Sequence, residues 1–255
     1  MTGTPKLVAH AIPGIPLIQA DDDIVAIIIN RAAEAGLHLR AGDALVISSK
    51  IVSKSKGRLV ALDEVEPSAD ALALAAETSK DPRLVELVLR ESSRVSRRRP
   101  GVLVTEHRLG LVSANAGVDQ SNIEAGDDMA LLLPLDPDGA AREYRAAIKR
   151  RLGIQVAVIV SDSHGRPFRV GNVGVAIGAA GLPTVKDLRG QRDLYGRMLE
   201  VTQVAYADLI ASAAHLLCGE ADEGLPAVLL RGLDLSAPHG CAADLNRAAE
   251  HDLYR

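Results

Sequence analysis

The chain has 255 residues, of which 47% are hydrophobic and 24% charged, and its formal net charge is −4. This composition is that of a globular protein with one large core or two modest ones, and it argues against disorder. The charge balance argues against nucleic acid as the main partner. One Phe, four Tyr and no Trp imply an aliphatic core with few rings on which bases could stack.

The two cysteines, Cys218 and Cys241, have neither the spacing of a metal site nor the number needed for a disulfide framework. We therefore expect a reducing, cytoplasmic setting. No stretch is apolar enough to span a bilayer, and the polar N-terminus does not resemble a signal peptide. No membrane association is predicted.

Hydrophobic periodicity predicts the elements of the first half of the chain. They are a strand over 6–12, a helix that follows Asp21–Asp23, a strand over 43–48, helices over 68–78 and 82–89, and a hairpin of 102–106 with 111–113. Asp81 is the expected N-cap of the helix over 82–89. The basic run 97–99 is typical of an exposed edge.

The second half is predicted to contain a connection over 134–139, a basic helix over 140–152, and a buried strand over 154–160. We expect that strand to stop at a polar turn over 161–167 and a second strand to cover 173–177. An Ala-rich helix over 201–217 is predicted to be buried on most faces, and a strand over 227–230 follows an acidic turn. The paired strands favour an α+β fold with mixed or antiparallel sheets over a doubly wound parallel sheet.

Two groups of residues carry chemistry. Segment 49–57 contains three hydroxyls and three lysines, which indicates either a solvated helix face or a cradle for phosphates. Five carboxylates also follow apolar runs, and they are either turn formers and caps or oxygen ligands of hard cations such as magnesium. They are Asp119, Asp162, Glu220, Asp222 and Glu223. His164 lacks a partner at i+4 and is expected at the surface.

Seven motifs together resemble those of the coenzyme F420-0:L-glutamate ligase family, in order and spacing over nearly the whole chain. They are G-I-P-L-I at 14–18, S-K-x-x-S-K at 49–54, A-N-A-G-V-D-x-S-N at 114–122, S-D-S-x-G-R-P-x-R at 161–169, V-A-I-G-x-A-G at 175–181, D-x-R-G-x-x-D at 187–193 and P-A-V-L-L-R-G-L at 226–233. There is no P-loop motif and no dinucleotide fingerprint.

The resemblance implies a GTP-dependent ligase that joins L-glutamate to F420-0 through an acyl phosphate and then adds further γ-linked glutamates. It also implies a single unit over 1–255, with two lobes discontinuous in sequence, in an intertwined homodimer. The flavin-binding domain of fused relatives is not expected. Two divalent ions, Mg²⁺ or Mn²⁺, are implied, and K⁺ is a further candidate. A metal-dependent phosphohydrolase and a non-catalytic nucleotide-binding regulator are the alternatives.

By motif position, the resemblance makes Asp119 and Asp162 the catalytic residues and the ligands of one divalent ion, with Ser163 and Glu220 on the other. The implied nucleotide contacts are Ile15, Pro16, Leu17, Ile18, Ser49, Lys50, Lys54, Asn122, Cys218, Gly219, Glu220, Ala221, Asp222, Glu223, Gly224 and Leu225. Bidentate chemistry adds Arg166, Arg169 and Arg189 as candidates for binding substrate carboxylates or phosphate.

Overall fold

The computed structural model describes residues 4–123 and 128–252. Within these ranges the chain forms twelve strands and six α-helices. In chain order they are β1 (Val8–Ala11), α1 (Ile24–Glu34), β2 (Ala44–Ser48), α2 (Ser49–Ser55), β3 (Leu59–Ala61), α3 (Ala69–Thr78), α4 (Pro82–Glu91), β4 (Ser92–Arg99), β5 (Val102–His107), β6 (Val112–Ala114), β7 (Met129–Leu131), α5 (Pro137–Leu152), β8 (Ala157–Arg166), β9 (Arg169–Ala180), β10 (Val185–Asp187), β11 (Gln203–Ala205), α6 (Tyr206–Cys218) and β12 (Ala227–Arg231).

The largest sheet has five strands in the order β1-β12-β2-β8-β9. Strands β2 and β8 pair in parallel, with Ser48 opposite Ser161, while the other neighbours in this sheet are antiparallel. Smaller sheets are formed by β4-β5-β6, by β3-β7 and by β10-β11. The predicted α+β class with mixed sheets is confirmed.

Helices cover both faces of the five-stranded sheet. Ile28 of α1 and Ile148 of α5 pack with Val158 and Val160 on one face, and the buried residues of α6 pack with Ile159 on the other. Because both faces are covered, β8 has no polar residue over 157–160. A third core cluster is formed around α3, α4 and β5. The expected two lobes and homodimer stay predictions.

The predicted end of the strand at residue 161 is wrong. Strand β8 continues to Arg166, and its polar residues pair with β9, so that Asp162 lies opposite Val175 and Gly165 opposite Asn172. The ladder supplies backbone hydrogen bonds whatever the side chains are, and this overrides the local turn signal. The reversal is confined to Pro167 and Phe168, which lie between the two strands.

Helix α6 begins at Tyr206, later than predicted, and it is not buried on most faces. Its buried residues Ala207, Ile210, Ala211 and Ala214 recur at the spacing of a single helix face. Leu216 on another face is 86% exposed. The basic run 97–99 lies on β4, an edge strand, and is exposed as expected.

None of the helices in the described ranges combines the length and the hydropathy needed to cross a lipid bilayer.

The outer edge of β9 is closed by polar side chains from two helices. Asp138 of α5 accepts a hydrogen bond from Ala179 N at 2.7 Å, and Asp208 of α6 accepts one from Ala176 N at 2.9 Å. An edge strand otherwise presents unpaired N–H groups to other chains. The helices approach so closely that a Cβ atom at Gly178 would lie 2.2 Å from the Pro137 carbonyl oxygen.

We predict that Gly178→Ala lowers the free energy of unfolding by about 1–3 kcal/mol or more, since the added methyl group meets backbone rather than a movable side chain. The matched control is Gly165→Ala in the same hairpin, where the nearest atom lies 3.7 Å away, and it should change stability by less than about 0.5 kcal/mol. Urea unfolding followed by circular dichroism measures both. Equal stability of the two variants would contradict the close approach of α5 to β9.

Candidate active site at one edge of the central sheet

Four segments of the chain meet at one edge of the five-stranded sheet because of how its strands are directed. Parallel strands end at the same edge, so α2 follows β2 where Asp162 lies on β8. Antiparallel pairing brings the end of β1 and the start of β12 to that edge, with Ala11 opposite Val228 and Ala227 opposite Ile47. Segments 15–18, 49–54, 162–163 and 218–225 are therefore neighbours.

A fifth segment, the loop over 115–122, is attached to this edge by two lysines of α2. Lys50 Nζ lies 2.8 Å from Asp119 Oδ2 and donates a hydrogen bond to Ser121 Oγ at 2.7 Å. Lys54 Nζ donates to the Asn122 carbonyl oxygen at 2.8 Å. The buried Ser53 of the same helix is 1% exposed. Segment 49–57 is thus not a solvated helix face.

Asp162 is held on both carboxylate oxygens. Ser49 Oγ donates to Oδ1 at 2.7 Å, and His164 Nε2 lies 2.9 Å from Oδ2. Ser49 and His164 are both buried. The expected surface position of His164 is therefore wrong, because β8 continues through this residue and residues 162 and 164 of one strand share a face.

Asp119 and Asp162 lie in one cleft, together with Ser49, Lys50 and Ser163. The cleft has a volume of about 160 Å³. Two carboxylates that are 43 positions apart in the sequence thus line one cavity, which residues expected to bind the same ion must do.

Electrostatics keeps Asp119 ionised. Burial raises the pKa of its carboxyl, but the Lys50 ammonium and the hydrogen bonds from Ser121 lower it further than burial raises it. At neutral pH the cleft therefore contains an anion–cation pair.

Burial and the nearby Glu220 raise the pKa of the Cys218 thiol to about 11, so this thiol is not a nucleophile at neutral pH.

The donor set suits a hard divalent ion that is bound partly by substrate. The cleft offers two carboxylates and the hydroxyls of Ser49 and Ser163, and all of these are oxygen ligands. Among the described residues there is no cluster of three or more His, Cys, Asp or Glu side chains suited to a metal ion. Magnesium typically needs only one or two carboxylates when phosphate oxygens and water complete its shell, so the residues fit such an ion.

The turn over 218–225 reaches the loop through Asn122, whose Nδ2 donates to the Ala221 carbonyl oxygen at 3.1 Å. Within the turn, Glu223 accepts a hydrogen bond from Ala221 N, while Asp222 and Gly224 are exposed. The Glu220 carboxylate is hydrogen-bonded to His215 Nε2, and Glu220 is not among the residues that line the cleft. Its role as a metal ligand stays a prediction.

Segment 15–18 has one anchored end. Ile18 is buried in the core and Ile15 packs partly against it, whereas Pro16 and Leu17 are exposed. The segment that follows is joined to α2, because Asp21 N donates to the Ser55 carbonyl oxygen at 3.0 Å. Pro16 and Leu17 thus remain exposed between the buried Ile12 and Ile18.

The three candidate substrate arginines lie outside the cleft. Arg166 and Arg169 face each other at the hairpin tip, and Arg166 lies four residues, or about 13 Å, beyond Asp162 along the strand. Arg189 is paired with Asp187 and holds the pKa of that carboxyl at about 2. No described contact joins these arginines to Asp119 or Asp162, and their role stays a prediction.

Two polar residues of the site escape a search for isolated motifs. The buried position of His164 could have been found by continuing the strand beyond residue 160, because every second residue then points to the same face of the sheet. Ser121, which donates to Asp119 through both its N–H and its hydroxyl, follows the D-x-S pattern of an Asx turn. That pattern was the available signal.

Comparison with known proteins gives the same family as the motifs. The family described as F420-0:gamma-glutamyl ligase matches residues 14–232. A protein of Methanothermobacter thermautotrophicus named coenzyme F420:L-glutamate ligase is 47% identical over 96% of this chain and 97% of its own length. Proteins with the same name from Methanopyrus kandleri and Methanocaldococcus jannaschii are 49% identical over 91% of the chain and 90% of theirs and 42% identical over 84% and 85%. The chain belongs to the F420-0:gamma-glutamyl ligase family of enzymes.

Proposed function

We propose that this protein is a GTP-dependent ligase that joins the amine of L-glutamate to a carboxylate of coenzyme F420-0 and then adds further γ-linked glutamates. The relatives of the same family are named for glutamate ligation to F420. The observation that carries the proposal is the shared cleft, in which Asp119 with Lys50 faces Asp162 with Ser49. Such a constellation suits phosphoryl transfer to a carboxylate, because it combines oxygen ligands with a fixed cation.

The chemistry has two steps that the cleft must support. A carboxylate oxygen of the acceptor forms a bond to the γ-phosphorus of GTP, the bond from that phosphorus to the β,γ-bridging oxygen breaks, and GDP leaves. The glutamate nitrogen then attacks the acyl carbon, the bond to phosphate breaks, and the amine loses a proton to the surrounding solvent. Lys50 and Lys54 supply positive charge near the transferred group, and exclusion of water protects the acyl phosphate from hydrolysis.

Asp119, Asp162, Ser163 and Glu220 are the residues proposed to hold Mg²⁺ or Mn²⁺. Bound divalent ions neutralise the triphosphate charge during transfer. Lys50 and Ser121 contact the carboxylate oxygens of Asp119, and Ser49 and His164 contact those of Asp162. These contacts orient both carboxylates toward the cleft. K⁺ is the proposed monovalent ion.

We also propose that two chains form a homodimer. Four apolar side chains at the hairpin tip and in the segment over 194–201 are almost fully exposed, and contact between two chains would remove their apolar surface from water. They are Val170 at 100%, Leu194 at 99%, Tyr195 at 96% and Val201 at 84%. A second copy presents the same surface, which is the requirement of a two-fold interface.

The test of the activity is incubation of the protein with GTP, Mg²⁺, F420-0 and L-glutamate, followed by product mass spectrometry. We expect F420 carrying one or more added glutamates, with GDP and phosphate released over many turnovers only when both F420-0 and glutamate are present. Phosphate release at the same rate without glutamate would instead indicate a phosphohydrolase. GTP binding without turnover would indicate a regulator.

Asp162→Asn is expected to lower ligation at least about 100-fold, since the variant loses a charged ligand of the divalent ion proposed to neutralise the triphosphate. The fold should be retained, because the amide oxygen can still accept from Ser49. The measurement is initial rate together with thermal unfolding. Asp63→Asn, an exposed carboxylate, is the control and should keep wild-type activity. A folded Asp162→Asn variant with full activity would remove this residue from the reaction.

Lys50→Gln is expected to weaken GTP binding about 10–100-fold, the effect of losing one hydrogen bond to a charged group. It also releases Asp119. Lys56→Gln is the matched control, because Lys56 pairs with Glu143 at 2.7 Å rather than with the cleft. Titration calorimetry with GTP compares the two. Equal affinities would show that Lys50 does not contact the nucleotide.

Sedimentation equilibrium tests the homodimer. The wild-type protein should have twice the 26.8 kDa mass of the chain, and Val170→Lys combined with Leu194→Lys should yield monomers, because two charges would be buried at the interface. Leu72→Lys, on a helix elsewhere and 55% exposed, should remain dimeric. A monomeric wild-type protein would refute the proposal.

A further inference from the structure

A second cavity, larger than the active-site cleft, lies at the other end of the β8–β9 hairpin. Its volume is about 520 Å³, within the range of small-molecule sites. It is lined by residues of α5, by Ala179 and Ala180 of β9, and by Gly240 and Cys241. Ala180 is opposite Val158, four residues before Asp162 on β8, which separates the two cavities by about 13 Å along the strand. None of the motif residues lining the cleft lines this cavity.

Three basic side chains of α5 line the cavity: Arg142, Arg145 and Lys149. Their spacing of three and four residues places them on one helix face, over a length of about 10 Å. Among the described residues, no carboxylate lines the cavity. The other polar side chains in its wall are the Gln155 amide and the Cys241 thiol.

The three cations are poorly neutralised by the protein itself. Arg145 is oriented by a hydrogen bond from its Nε to the Val156 carbonyl oxygen at 3.0 Å. No described carboxylate lies within ion-pair distance of Arg145 or Lys149. Arg142 lies 3.5 Å from Asp136 in an exposed ion pair. Ion pairs of this kind contribute little to the free energy of folding.

Gly181 makes room for this arrangement. A Cβ atom at Gly181 would lie 2.3 Å from Arg145 Nε, so a side chain there would displace the guanidinium. Asp138 and Asp244 are near Cys241, but their carboxylates are bonded to backbone N–H groups, Asp138 to Ala179 and Ala242 and Asp244 to Cys241. The cavity therefore has a surplus of positive charge over a partly apolar floor.

We propose that this cavity is a second binding site, separate from the active-site cleft, for a small molecule that carries two or more phosphate or carboxylate groups. The fork of Arg145 matches either group in bidentate fashion. Arg142 and Lys149, on the turns before and after it, bind the remaining negative groups. A single anion would engage only part of a cationic row about 10 Å long.

Cys241 provides a local reporter. The full chain with Cys218→Ser keeps Cys241 as its one thiol, and reaction with an uncharged maleimide is followed by mass spectrometry. Pyrophosphate and citrate are the two probes, and they distinguish phosphate from carboxylate ligands. An occupied cavity should slow labelling roughly tenfold at roughly ten times the Kd, since only the empty fraction reacts.

Three variants in this background locate the effect. The slowing should vanish in Arg142→Gln combined with Lys149→Gln. It should persist in Arg150→Gln, an exposed arginine of the same helix that does not line the cavity, and in Lys50→Gln, which alters the active-site cleft. Protection by one probe alone identifies the chemistry of the ligand. Absence of protection by both probes, equal protection in the double variant, or its loss in Lys50→Gln would overturn the proposal.

Discussion

The parallel pairing of β2 with β8 is the constraint on which the rest of the site depends. Ser48 lies opposite Ser161, and the residue that follows each of them lines the cleft. These two residues are Ser49, the first residue of α2, and Asp162, the next residue of β8. Their side chains meet at 2.7 Å although they are 113 positions apart. A slip of one residue would turn Asp162 toward the other face of the sheet, and buried residues on both faces of β8 oppose such a slip.

The second element of the site, the loop over 115–122, has no strand of comparable length to position it. Its backbone is attached to β7 through the pair of hydrogen bonds between Asp119 and Leu131, and its side chains are attached to α2 through Lys50 and Lys54. The ion pair and hydrogen bonds of the two lysines therefore position Asp119, whereas strand register positions Asp162. The attachment depends on ionised Asp119, and Lys50 and Ser121 maintain that state.

Much of the fold could be predicted from the sequence where the determinants are local. The predicted N-cap Asp81 accepts a hydrogen bond from the Arg83 N–H, and the hairpin of β5 and β6 forms as predicted. The motif residues of the cleft could also be named. What could not be predicted depends on distant partners: the polar half of β8 is a strand only because β9 lies beside it, and β4, a basic strand without apolar alternation, depends on β5. The buried state of His164 follows from the first of these.

The two cavities differ in how their positive charges are balanced, and this difference separates their chemistry. In the cleft, Lys50 is neutralised by Asp119, so the polyphosphate of the proposed reaction would meet carboxylates as well as cations, and the proposed divalent ions would offset that repulsion. In the cavity beside α5, the basic side chains face no carboxylate in the wall, so a polyanion can bind there by direct contact. The cavity also lies on a rigid support, because α5 is joined to β9 through Asp138 and to the start of α1 through the Arg151–Asp23 ion pair. We therefore expect binding at the proposed second site to need no metal, in contrast to the metal-dependent reaction proposed for the cleft.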